Sequence, residues 1–165
     1  MLSRIDTPME LFTHKLGAAL TMERTVLKLL AALEEDARHE ELKQLFRHHA
    51  EETHEQIRNI AGAFVALGEE PDKKPCPAMK ALRVEAKANI ELAKGEIVDD
   101  VVLAAAAETE HHEIAVYEEL ITYAEAMGHQ DVAGLMRQNL EQEQRALEKI
   151  RSAAERIAEE TLQPA

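Results

Sequence analysis

Apolar residues return every three or four positions along four long stretches of this chain, and polar breaks separate the stretches. The first stripe reads Phe12, Leu16, Ala19, Val26, Leu30 and Leu33, the spacing of one buried helix face. Thr7-Pro8-Met9-Glu10 opens it with a capping box and a proline at the first helical position, where no amide proton is needed. A polar break over 34–39 turns the chain into a second helix, roughly 39–67, with Leu42, Leu45, His49, Glu52, Gln56, Ile60 and Ala63 inward and Gly68 closing it. A third begins near Asp99 or Asp100 and carries Leu103, Ala106, Glu110, Glu113, Tyr117, Leu120 and Ala124 before Gly128. Asp131 is the expected cap of a fourth, which turns Val132, Met136, Asn139, Glu143, Ala146, Ile150, Ala153 and Ile157 inward and frays over the tail TLQPA.

The second and third long helices are joined by about thirty residues. Their first part, EEPDKKPCP (69–77), contains three prolines and cannot be regular helix. A shorter amphipathic helix follows over about 78–94, with Met79, Leu82, Ala86, Ile90 and Ala93 on one side and Gly95 at its end. At ~1.5 Å per helical residue and ~3.3 Å per extended one, this connection reaches the full length of a bundle. The other two connections are short, so each flanking pair forms an antiparallel hairpin. The expected fold class is all-α: a single domain over 1–165, a ferritin-like four-helix bundle with a long crossover containing an extra shorter helix and almost no strand.

Composition narrows the function classes. The chain has 165 residues and a net charge of -13, so nucleic acid phosphates would be repelled. With no Trp, two Tyr and three Phe, there is no platform for stacking bases. The single cysteine, Cys76, excludes an internal disulfide, fits a reducing cytoplasm, and between Pro75 and Pro77 reads as a packing residue of a turn. No segment approaches the ~18 apolar residues of a membrane span, and the N-terminus has no run suited to a signal peptide. The expected location is the cytoplasm.

Five glutamates interrupt the apolar stripes: Glu23, Glu52, Glu110, Glu113 and Glu143. A buried carboxylate without a partner is costly and would sooner take up a proton, and no Lys or Arg stands near them on those stripes. Within each hairpin the glutamates lie about equally far from the turn, which puts them at one height, roughly 20 Å from the helix ends. The second helix also holds a literal Glu-x-x-His, Glu51 to His54, but about 100° away from the stripe. His49 and Glu52 are therefore the expected inward pair and Glu51–His54 a solvated one. The counter-charge the chain does not encode is bound metal. Carboxylates plus one imidazole and no thiolate indicate iron or manganese, two ions held by His49, Glu23, Glu52, Glu110, Glu113 and Glu143. Glu52 and Glu113 are the expected bridges, and Tyr117, one turn after Glu113, packs or bonds to a ligand.

The runs HHAEETHEQI (48–57), KKPCPAM (73–79), DDVVLAAAAETEHHEIAVYEEL (99–120) and YAEAMG (123–128) resemble the YciE/YciF-type ferritin-like proteins, a bacterial family catalogued as a domain of unknown function. The likeness runs from LFTHKL (11–16) to the last helix. It implies a homodimer with a di-metal centre in the bundle and a link to general stress responses. Carried over by residue, it supports Glu23, His49, Glu52, Gln56, Glu110, His111, Glu113 and Glu143. This chain departs in having Ala146 and Leu147 after the fourth-helix glutamate, with no histidine at 146 to complete a Glu-x-x-His, so one metal position has fewer protein ligands. The expected function is handling of iron, peroxide or O₂ at a di-iron or di-manganese centre. The alternative is a non-catalytic dimeric helical module that binds a protein partner.

Overall fold

The computed structural model describes residues 4–162. They form α1 (Pro8–Asp36), α2 (Glu40–Ala66), α3 (Pro77–Leu92), α4 (Val98–Ala126) and α5 (Gln130–Leu162), with one 3-10 turn over Gly95–Ile97 and no strand among the described residues. The chain thus has the all-α, ferritin-like architecture its patterning predicts. At the start of α1 the capping box is formed both ways: Thr7 Oγ1 accepts from the Glu10 N–H at 3.2 Å, and Glu10 Oε2 accepts from the Thr7 N–H at 2.9 Å. Gly68 and Gly128 take positive φ (75° and 81°) after α2 and α4, so the next N–H can reach back to the helix carbonyls, Glu69 to Phe64 and His129 to Ala124.

Three boundary expectations change. Asp131 lies inside the first turn of α5 rather than capping it, and accepts from the Val132 N–H at 2.9 Å. There it still opposes the positive end of the helix dipole. Gly95 (φ 66°) opens the 3-10 turn leading into α4, while α3 already stops at Leu92. Of the tail, Thr161 and Leu162 remain helical, and residues 163–165 lie outside the described part.

The helices α1 and α2, and α4 and α5, pack as antiparallel pairs; α1 also packs on α4 and α2 on α5. Asp99, fully buried in the first turn of α4, fixes how the pairs are joined. Its carboxylate accepts from the backbone N–H of Arg38 at 2.7 Å and of His39 at 3.0 Å, and meets the His39 ring. Both lie in the turn just before α2, whose cap residue His39 makes no side-chain cap of its own. One carboxylate therefore serves the open N-terminus of α2 and sets the start of α4 beside it. Helices α2 and α4 consequently run parallel, and the crossover spans the bundle from end to end. Along the way α3 lies over α1 and α4, burying Met79 and Ala86. The extended stretch before it rests on α1 at Gly17, whose carbonyl accepts from the Lys74 N–H at 3.0 Å.

The stripes of α1, α4 and α5 are buried as read. In α2 the buried line is Leu42, Phe46, His49, Thr53, Gln56, Ile60 and Ala63, with Leu45 and Glu52 half-buried at its edge. Steps of three and four fit either Leu45–Glu52 or Phe46–Thr53. The face follows the larger side chain, since Phe46 gains more by leaving water than Leu45.

Candidate metal centre

Each long helix brings acid or imidazole into the middle of the bundle. His49 of α2, Glu110 and Glu113 of α4 and Glu143 of α5 each present a ligand atom, and these four atoms lie within 4.8 Å of one another. All four residues are buried. Glu110 and Glu113 come from successive turns of one face, so a single helix supplies two carboxylates. His49 Nε2 lies 3.1 Å from Glu110 Oε1 and 3.4 Å from Glu143 Oε2, close enough for an ion pair but misaligned for a hydrogen bond. Both oxygens of Glu113 and of Glu143, and Oε2 of Glu110, have no hydrogen-bond partner.

The electrostatics of the cluster are set by burial and by crowded like charges. Burial pushes the Glu113 carboxyl well above its ordinary range, and the neighbouring charges of Glu143, Glu23 and Glu110 push it further. Glu143 rises for the same reasons, burial first and Glu110 next, against the opposing pull of His49. Burial works against a charged His49, yet the carboxylates around it, Glu110 foremost, win and hold its pKa well above 6.5. One imidazolium cannot balance this set. Four carboxyl groups have lost their water, and buried groups of this kind either take up protons or bind a cation.

Two of the expected residues lie outside this set of four. Glu23 is fully buried but bonded to the Tyr117 hydroxyl, which donates to its Oε1. Burial raises Glu23 to about 7 despite help from Tyr117. The Tyr117 oxygen in turn accepts from Asn139 Nδ2 at 3.1 Å. Asn139 also donates to the Gln56 carbonyl at 3.3 Å and accepts from Asn59 Nδ2 at 2.7 Å, so this polar relay crosses α1, α4, α5 and α2. Glu52 occupies the rim, its side chain 15% exposed, with Oε2 3.3 Å from His49 Nδ1 and Oε1 3.6 Å from His48 Nε2. Burial would raise its pKa, but His49, then His48 and Lys149, keep it below the usual value and hence ionised. A carboxylate on Nδ1 leaves Nε2 pointing at Glu110 and Glu143, the usual way a ligating imidazole is oriented.

Glu51 and His54 are exposed, as the helix phase requires. His111, supported by the family likeness, is exposed and sits 3.1 Å from Arg151 rather than at the cluster, whereas His112 is half-buried with an unpartnered Nε2. Gln56 is fully buried, and its side-chain amide has no partner. Ala146 is buried and offers no ligand atom, so α5 contributes Glu143 alone. Cys76 is half-buried at the start of α3 and packs against the core. No pattern in the sequence marks the contacts of Asn139 and Asn59. Only Asn139's place on the α5 stripe, four residues before Glu143, hinted at one.

The donor set suits a hard or borderline divalent ion, with oxygens, one nitrogen and no sulfur. Among the described residues, no helix is long and apolar enough to cross a membrane.

Comparison with known proteins bears on what this bundle is. Protein YciF of Escherichia coli (strain K12) is 37% identical over 136 residues, spanning 81% of this chain and 82% of that protein. The crystal structure of the E. coli stress protein YciF superposes with a TM-score of 0.89 at 32% identity, covering 94% of this chain and 99% of the other. YcfI, a candidate structural protein from Rhodopseudomonas palustris, gives the same TM-score and identity over 92% and 97%. A protein of Xanthomonas campestris is more distant, at a TM-score of 0.72 and 25% identity, with 92% of each chain covered. The domain of unknown function DUF892 matches residues 7–163, and the chain belongs to that family, the one that contains YciF.

Proposed function

We propose that this protein is a ferritin-like metal-binding protein that holds iron or manganese in the middle of its bundle and handles iron, peroxide or O₂ under stress. One observation carries the reading: four buried ligand atoms from three helices lie within 4.8 Å of one another, and among the described residues no Lys or Arg is buried with them. Glu110, Glu113, Glu143 and His49 Nε2 would hold the metal. Glu52 orients His49 through Nδ1, and Glu23, held by Tyr117, sits behind Glu113 as a further ligand or as its proton partner. Bound there, such ions supply electron exchange with O₂ or peroxide at open coordination positions. The chain's own part is to hold carboxylates dry and fixed, to keep the imidazole in one tautomer, and to exclude bulk water. With Glu143 alone on α5, one of two ions would have fewer protein ligands and leave first on chelation. The stress link follows the description of E. coli YciF. We further propose that the functional unit is a homodimer in the cytoplasm, in keeping with the family likeness.

The test is metal content. Untagged protein purified without chelator should carry iron or manganese, and Glu113→Gln should lose most of it. Glu51→Ala and His54→Ala should keep it, because both side chains point to solvent. Equal metal in the wild type and Glu113→Gln would defeat the proposal.

A further inference from the structure

The acidic chain keeps one face basic. Two adjoining grooves, about 750 Å³ and 450 Å³, share Thr21, Thr25 and Lys28 on α1. The larger adds Arg24, Lys73 and His54; the smaller adds Lys80 and Arg83 of α3. No carboxylate lines either groove, although acidic residues outnumber basic ones 32 to 19. None of Arg24, Lys28, Lys73, Lys80 and Arg83 forms an ion pair among the described residues. The acid next to Lys73, Asp72, is taken by Lys74 at 2.6 Å. Five like charges set together repel one another, and the crossover that brings Lys73, Lys80 and Arg83 beside α1 does nothing to neutralise them.

We infer that this face binds a small molecule carrying two or more phosphate groups. Each groove suits one phosphate: Arg24, Lys28 and Lys73 around one, Lys28, Lys80 and Arg83 around the other, with Lys28 between them. A phosphate group carries roughly 1.5 to 2 negative charges near neutral pH, so two of them offset most of the charge of the five cations. Guanidinium groups bind phosphate oxygens through paired N–H donors, while lysines act as point charges. Recognition rests on these cations and not on the threonines. Thr21 and Thr25 donate their hydroxyl protons to the carbonyls of Gly17 and Thr21, which leaves them only as acceptors. A nucleic acid strand fits less well, because the patch is short, has no Phe, Tyr or Trp, and belongs to a chain of net charge -13.

The probe is inorganic pyrophosphate, titrated calorimetrically into metal-free full-length protein at low salt, so that chelation at the bundle centre plays no part. One-to-one binding is expected, weakened about tenfold or more by Lys28→Glu and strongly by 0.5 M salt. Lys94→Glu, the same charge change on an exposed residue outside both grooves, should leave it intact. Vesicles of phosphatidylcholine with a bis-phosphorylated inositol lipid identify the source. Sedimentation with them, lost in Lys28→Glu, assigns the phosphates to a headgroup; pyrophosphate binding without sedimentation assigns them to a soluble ligand. Binding of neither probe, or binding unchanged in Lys28→Glu, overturns the inference. So does salt-sensitive self-association that Lys28→Glu abolishes in protein that binds no pyrophosphate, since the occupant is then the acidic surface of a second copy.

Discussion

Replacing Glu23 by glutamine in the metal-free protein should stabilise it, and only above mildly acid pH. Glutamine keeps the shape of the side chain and an oxygen to accept from Tyr117, whose hydroxyl donates to Glu23 Oε1. What it removes is ionisation in a dry site. Burial raises the folded-state pKa of Glu23 from 4.5 to about 7, so the folded state binds a proton that the unfolded chain has already released. Stability therefore falls as pH rises above about 4.5 and levels off once pH passes the folded value. The shift corresponds to roughly 3 kcal/mol at full extent, an upper limit because Glu113 and Tyr117 share the same environment. For a domain of this size that converts to at most about 6–12 °C in melting temperature. The assay is circular dichroism melting of chelator-treated wild type and Glu23→Gln from pH 4.5 to 8.5. The expected result is near-equal melting at pH 4.5 and a variant that melts several degrees higher at pH 8. A gain of the same size at both pH values, or a loss at pH 8, would refute the assignment of the cost to ionisation. Metal should act in the opposite sense. An ion at 100 times its Kd stabilises the wild type by about 2.7 kcal/mol, and it binds more tightly as pH rises because it competes with protons for the same oxygens.

Two further predictions concern the crossover. A Cβ added at Gly17 would overlap the Asp72 carbonyl and come within 2.8 Å of Lys74 Cγ; Gly17→Ala should cost about 1–3 kcal/mol and expose the 69–77 segment to limited proteolysis. Asp99→Ala leaves the Arg38 and His39 amides without their acceptor and should cost about 1–3 kcal/mol near neutral pH, read by urea unfolding. Burial would raise the Asp99 carboxyl, but the Arg38 N–H and then the His39 ring and N–H hold it below its ordinary 3.8. Its contribution is therefore complete above about pH 4 and lost as pH falls further, so the wild type and the variant should converge in acid.

The sequence made the bundle readable because each long helix must bury one stripe, and a carboxylate on such a stripe cannot hide among charged neighbours. Glu23, Glu110, Glu113 and Glu143 are all fully or almost fully buried for that reason. Glu52 was harder. Its helix offers two interleaved lines of three-and-four steps, and nothing in spacing alone decides between Glu52 and Thr53. The choice is made by Phe46, which must be buried, and by the facing helices, which leave room for Thr53 and Gln56 but push Glu52 to the rim. Local pattern also could not show Asp99 reaching sixty residues back to the α1–α2 turn, nor Gly17 receiving the crossover, because both depend on where a distant segment lands. These two contacts act together. The crossover that Gly17 seats and Asp99 anchors brings α4 parallel to α2, in the arrangement that sets Glu110 beside His49. The carboxylates of the candidate centre and their common height were legible from their distance to the turns, whereas the contacts that hold the crossover in place were not. A substitution that loosens the crossover at Asp99 or Gly17 should therefore weaken metal retention before it unfolds the helices.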